Sequence, residues 1–220
     1  MTVETAVQVF TGTAPPAVIL AAGEGHRLNG VNGGIPKPLT PVLGLTLLER
    51  AVLSCKEVGV LEFYVVIGYH ADKMIPYIRA LEQRLSVSIR PIENPNWERG
   101  NGSSALAAAP YVDRSFFLLM CDHLFDPAIL RLLFAAGENT TDCLLAVDRH
   151  ADRVFDLNDA TKIQLDRDVI TVIGKREASF DAVDTGLFLF QPTLFQALEV
   201  ARDKGRHSLS AGLAELIRSR

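Results

Sequence analysis

A handful of residues in this chain have the means to hold phosphate. Gly23 and Gly25 follow the apolar run "PAVILAA" (16–22), Arg27 comes two residues later, and Lys37 stands between Pro36 and Pro38. Glycines there permit positive φ and close backbone approach, and successive free N–H groups in such a turn form an anion cradle. The flanking prolines remove conformational freedom and hold the lysine extended, as a preorganised point charge requires. Either cation alone reads as a solvated loop charge. Joined to a strand end and two glycines, they point to phosphate.

Two familiar nucleotide motifs are absent. The spacing Gly23-x-Gly25-x-x-Leu28 puts a bulky residue where a dinucleotide fingerprint needs its third glycine, and no G-x-x-x-x-G-K-[ST] occurs. The second apolar run ends in "GYH" (68–70) instead of a ribose-binding acid. Asp122 closes the apolar stretch "SFFLLMCD" (115–122), where a half-buried carboxylate needs a partner such as Mg²⁺ bridging phosphate oxygens. Capping the next helix is the other use for such an aspartate, but Asp126, just before Pro127, suits that role better. His123 reads as a local hydrogen-bonding residue, since hard Mg²⁺ prefers oxygen.

These residues must be positioned by elements that alternate along the chain. Strands are expected at 16–22, 63–69, 87–94, 115–122, 142–149 and 181–190, with an antiparallel hairpin over 161–174. Helices are expected at 46–59, 71–84, 103–112 and 127–136, with two more at the end. The almost wholly apolar run at 115–122 predicts a central strand. This alternation predicts a three-layer α/β/α, Rossmann-like fold on a mostly parallel, mixed sheet, and ligands of such sheets bind outside the carboxyl ends of the strands. Its 220 residues, 48% hydrophobic, suit one compact domain, with residues 1–14 as an N-terminal extension.

Composition narrows the partners. A net charge of −4 without clustered Lys or Arg leaves no footprint for nucleic acid or a membrane surface. Three isolated cysteines, Cys55, Cys121 and Cys143, argue against a disulfide framework or zinc site and predict a reduced, cytoplasmic protein. No apolar run reaches the length of a spanning helix, and no signal-peptide pattern opens the chain.

At this point the sequence resembles a known family. "LAAGEGHRL…PKPL" is similar to the signature of the sugar-1-phosphate nucleotidyltransferases, and the resemblance runs over about residues 16–217. "NWERGNGSSAL", "LLMCDHLFDP", "DLNDATKI", "GKREASFDAVDTGLFLF" and "GRHSLSAGL" favour the inositol-1-phosphate cytidylyltransferase branch. The resemblance implies that Ala21, Ala22, Gly23 and Gly25 hold a nucleoside triphosphate whose phosphates meet Arg27 and Lys37. It implies Asp184 as a second Mg²⁺ ligand beside Asp122, with Asp181 the competing candidate. Lys175, with Arg176 as a substitute, would contact the acceptor's phosphate, and Thr185 and His207 would join the acceptor pocket. Asn101, Gly102 and Ser103 would lie against the base, although Ser103 or Ser104 could equally cap the following helix. Arg206 is an alternative to His207, and serine capping of the last helix explains part of "GRHSLS" (205–210) without function.

The expected reaction moves CMP from CTP to inositol 1-phosphate with release of pyrophosphate, by in-line attack on the α-phosphorus. An anionic phosphate oxygen needs no general base, so catalysis is positioning and charge neutralisation. UTP or dTTP with a hexose 1-phosphate, or CTP with phosphocholine, is the alternative within this reaction class. A nucleotide-binding module without turnover is the alternative outside it. In the inositol branch the domain is often joined to a membrane-embedded transferase, so a fusion or a working partnership of that kind is expected.

Overall fold

The computed structural model describes residues 14–25, 34–138 and 140–219. The elements in chain order are β1 (Ala17–Leu20), β2 (Pro41–Val42), β3 (Leu45–Thr46), α1 (Leu47–Glu57), β4 (Glu62–Ile67), α2 (Ala71–Leu85), β5 (Ser88–Glu93), α3 (Asn101–Ala107), β6 (Phe116–Met120), α4 (Ala128–Gly137), β7 (Leu144–Asp148), β8 (Lys162–Asp166), β9 (Val169–Gly174), β10 (Ala182–Phe190), α5 (Thr193–Asp203) and α6 (Leu209–Arg218).

Among the described residues, eight strands form one mixed sheet. Its parallel half runs β5-β4-β1-β6, and β10 lies antiparallel to β6. The first part of β10 pairs with β8 of the β8–β9 hairpin, and β7 runs antiparallel along it. Parallel neighbours on both sides bury β1 completely, which is why "AVIL" carries no polar residue. Ala17 and Ile19 face one hydrophobic cluster with α1, α2 and α4; Val18 and Leu20 face a second with α3, α5 and α6. The helices therefore cover both faces, giving the expected three layers.

Local chemistry sets the element ends. Thr46 accepts the N–H of Glu49 (3.1 Å) to start α1, and Ser208 accepts that of Ala211 (3.1 Å) to start α6. The N-cap of α4 is Pro127 and not Asp126 as expected; Asp126, one residue earlier, still accepts the N–H of Ala128 (2.9 Å), the first residue of the helix.

Three other segments differ from expectation. Lys37 is not in an extended stretch: Lys37–Leu39 is a single 3-10 turn, closed by the Thr40 N–H on the Lys37 carbonyl (3.0 Å). Proline at the first helical positions favours such a turn as readily as an extended chain. The β2–β3 hairpin went unseen because each strand has only two residues. Helix α3 begins at Asn101 after Gly100, so neither Ser103 nor Ser104 caps it, and Ala109–Tyr111 is a separate 3-10 turn around Pro110.

Candidate active site

The end of β1 is built into the sheet before it becomes a loop. Ala21 donates its N–H to Val66 (2.8 Å), and Ala22 accepts that of Tyr69 (3.0 Å). Past them the two glycines differ. A Cβ at Gly23 would meet open space, whereas Gly25 has φ +70°, and a Cβ there would stand 2.8 Å from Lys37 Cβ and 2.9 Å from Lys37 Cδ. Gly25 is thus the floor on which the Lys37 stem lies. That stem delivers the ammonium to Asp122, with which Lys37 forms a half-buried ion pair.

Asp122 follows β6, at the carboxyl end of a strand beside β1. Burial pushes its carboxyl up, but the hydrogen bond and charge of Lys37, helped by His123, bring it below the ordinary carboxylate range. Its neighbour His123 joins two strands: the ring donates Nδ1–H to the Thr185 carbonyl (2.8 Å), and Nε2 lies 3.9 Å from Asp122. The ring packs on Gly186, whose φ of +74° leaves no place for a side chain. Here β10 slips register against β7 between Asp184 and Phe188. A bulge of this kind re-aims a side chain. Asp184 accepts the Gly186 N–H (2.6 Å), and burial, only partly offset by that bond and by His123, pushes it up to about 6. His123 thus links the loop carrying Asp122 to the bulge carrying Asp184.

Among the described residues no group of three or more His, Cys, Asp or Glu forms a ready metal cage. Two carboxylates, linked through His123 and offering oxygen donors only, nevertheless suit a hard divalent ion, which is seldom caged by protein alone. Asp184 in particular is a costly buried carboxylate that a cation would relieve. Asp181 has another use, accepting the Leu165 N–H (2.8 Å) within the sheet.

On the far side of β10, Lys175 pairs with Asp159 (2.6 Å). Beneath it the buried Lys162 donates to the Lys175 carbonyl (2.9 Å) and lies over the Phe180 ring (5.9 Å). Lys162 and Asp159 were not singled out in the sequence, although a lysine inside a strand pattern is a signal that could have found the first. Arg176 is exposed beside Lys175. The Thr185 hydroxyl is taken by the Ala146 carbonyl (2.7 Å), so Thr185 offers a ligand no free side chain in this state.

The segment 100–103 packs on 207–208. Asn101 accepts the Leu209 N–H (2.8 Å), Ser103 donates its N–H to the His207 carbonyl (3.2 Å), and a Cβ at Gly102 would stand 2.6 Å from that carbonyl. The structure brings Asn101, Gly102, Ser103 and His207 together with one another, through backbone packing. Arg27 lies outside the described residues.

Comparison with known proteins shows the family. The family model for the MobA-like NTP transferase domain matches residues 17–218. The chain is 36% identical over 187 residues to the bifunctional IPC transferase and DIPP synthase of Rubrobacter xylanophilus, covering 84% of this chain and 40% of that protein. It is 34% identical over 206 residues to the protein of the same name from Archaeoglobus fulgidus, covering 93% and 39%. The chain thus spans about two fifths of the length of these curated relatives. The solved inositol-1-phosphate CTP transferase from T. maritima superposes with a TM-score of 0.85 at 28% identity, over 96% of this chain and 84% of that one. A UDP-glucose pyrophosphorylase in complex with UDP-glucose shares the fold, with a TM-score of 0.78 at 16% identity over 94% of this chain and 88% of that one. Nucleotidyltransferases of this kind generally use a divalent metal. A family-model match over residues 17–218 and relatives 36% and 34% identical over most of this chain place this protein in the family of MobA-like NTP transferase domains.

Proposed function

We propose that this domain transfers CMP from CTP to inositol 1-phosphate, giving CDP-inositol and pyrophosphate. The observation that carries the reading is the junction at which Gly25, Lys37, Asp122, His123 and Asp184 meet across β1, β6 and β10. The choice of substrates draws support from the names of the relatives and of the T. maritima enzyme. We further propose that residues 1–220 act as one transferase domain, with 1–14 as an N-terminal extension.

In this reading the Gly23–Gly25 amides and Arg27 cradle the triphosphate. Lys37 leaves Asp122 and turns to a phosphate oxygen, guided by the Gly25 floor. Asp122 and Asp184 would hold Mg²⁺, which when bound neutralises phosphate charge. Lys175, released from Asp159 and kept in place through Lys162, draws in the acceptor's phosphate. An oxygen of that phosphate forms a bond to the α-phosphorus as the bond to the bridging oxygen breaks, and the electron pair leaves with pyrophosphate. No general base is needed, because the attacking oxygen is already ionised at neutral pH. Asn101, Gly102 and Ser103 shape the base side through their backbone, and Arg176, Thr185 and His207 border the acceptor.

The described cysteines are unbridged, with Cys55 and Cys121 buried, which supports a reducing, cytoplasmic setting. None of the described helices is long and apolar enough to cross a membrane. Relatives named for two activities support a partnership with a second activity, on the same chain or apart, that consumes the CDP-inositol; we propose that it is a membrane-embedded transferase.

The test is pyrophosphate release with Mg²⁺ from CTP, UTP, dTTP, ATP and GTP, each against inositol 1-phosphate, glucose 1-phosphate and phosphocholine. Release confined to CTP with inositol 1-phosphate is expected. Release with another pair replaces the substrates, and release with none refutes turnover.

A further inference from the structure

We propose that a cavity between α3 and α5, separate from the junction above, is a second anion site that takes a small phosphate monoester. The cavity holds about 280 Å³; none of Gly25, Lys37, Asp122 and Asp184 lines it, while Gly102, Ser103 and His207, placed above beside the base and the acceptor, form the wall it shares with the proposed transferase site. Arg99, Arg202, Arg206 and His207 line it.

Charge around it is unbalanced. The Arg99 guanidinium has no hydrogen-bond or ion-pair partner among the described residues; only its backbone N–H is taken, by the Asn96 carbonyl (3.1 Å). Arg206 is held by Glu215, but that one buried carboxylate is shared with Lys204 (2.8 Å) and Arg218 (2.6 Å). Arg202 leans on the exposed Asp203 (3.1 Å) and more distantly on Glu199 (4.0 Å). Three arginines and no carboxylate thus line the cavity, in a chain whose net charge is −4. Concentrating cations around a hollow is costly unless an anion joins them, and the guanidinium fork matches phosphate oxygens two at a time.

Shape sets the rest of the ligand. Leu106 and Leu198 give the cavity an apolar wall. Its volume is at the low end of ligand pockets, too small for a dinucleotide and adequate for phosphate on a compact organic body. The site also touches the loop that faces the proposed nucleotide, since His207 supplies the carbonyl on which Ser103 and Gly102 rest.

The experiment is calorimetric titration with phenyl phosphate, in EDTA so that no metal-dependent binding contributes. Four proteins are compared: wild type, the Lys37→Ala/Lys175→Ala pair, which disables both the triphosphate and the acceptor ends of the proposed transferase site, the Arg99→Ala/Arg202→Ala pair, and Ala107→Trp, which fills the cavity without removing charge. Binding with one site per chain that survives the lysine pair and weakens at least tenfold in both of the other variants is expected. Binding lost in the lysine pair but kept in the arginine pair overturns the proposal, because the anion then occupies the transferase site. So does binding weakened by the arginine pair but untouched by Ala107→Trp, the mark of diffuse surface attraction, and so does an absence of binding to wild type. Turnover measured separately on wild type decides the transferase reading, so the two ideas fail independently.

Discussion

Replacing Gly25 by alanine adds one carbon at a place where the backbone sits at φ +70° and the new Cβ would stand 2.8 Å from Lys37 Cβ. The left-handed conformation costs a residue other than glycine on the order of 1–2 kcal/mol. The overlap costs more in position than in energy. Carbon atoms rest at roughly 3.5–4.0 Å, so one backbone segment must retreat by about 0.7 Å or more. Lys37 Cβ is fixed to its own 3-10 turn and cannot swing aside as a side-chain tip does. A displacement of ~1 Å in a charge that positions substrate costs on the order of 10² in rate. The expected result is an unfolding midpoint lower by roughly 2–8 °C, at about 2–4 °C per kcal/mol for this size, together with about a hundredfold loss of pyrophosphate release. In a Lys37→Gly background, where the opposing carbon is gone, Gly25→Ala should lower stability by the backbone term alone and add almost nothing to the activity already lost. A Gly25→Ala protein with unchanged turnover would refute the argument that Gly25 acts as a floor for Lys37.

Lys37→Ala should lower pyrophosphate release by on the order of 10²–10³, measured at saturating CTP, as for other preorganised electrostatic donors. Gly102→Ala, with its Cβ forced to 2.6 Å from the His207 carbonyl, should destabilise by about 1–3 kcal/mol in denaturant unfolding. Lys175→Ala should raise the KM for the acceptor while leaving thermal stability nearly unchanged, since its pair with Asp159 is exposed. Asp184, pushed up to about 6 against 3.8 in an ordinary chain, disfavours the fold when ionised: the cost is absent below about 3.8, grows as pH rises and is complete above about 6. In EDTA, Asp184→Asn should therefore gain stability over wild type at pH 8 and lose that advantage by pH 4, as read by thermal unfolding.

The sequence made strands visible wherever apolar runs were bounded by glycine or charge, because burial on both faces forces such runs. It singled out the glycine loop, Lys37 and Asp122 for the same reason, since polar residues at a strand end stand out against an apolar strand. The backbone of Lys37 was misjudged, as proline serves an extended chain and a tight turn alike. The second job of Gly25 was invisible because it depends on a contact twelve residues away. Gly102 drew notice as a glycine, yet the atoms that exclude its Cβ belong to His207 and Ser208, more than a hundred residues on. Lys162 and Asp159 escaped for a like reason: each matters through Lys175, and no local pattern announces a long-range partner.

The strand order also governs when the molecule can exist. β1 is made first but has to wait for its neighbours: Ala17 pairs with Phe63 on one side and with Phe117 on the other, and β6 in turn meets β10 at residues 187–190. Such distant pairings carry a high loop-closure cost and slow folding. During synthesis at roughly 5–20 residues per second, the stretch from Gly25 to Asp184 takes about 8–30 s to emerge. Throughout that interval an apolar β1 has no complete sheet to enter, so the nascent chain presents the very segment that carries the nucleotide loop to chaperones before it can present it to a nucleotide.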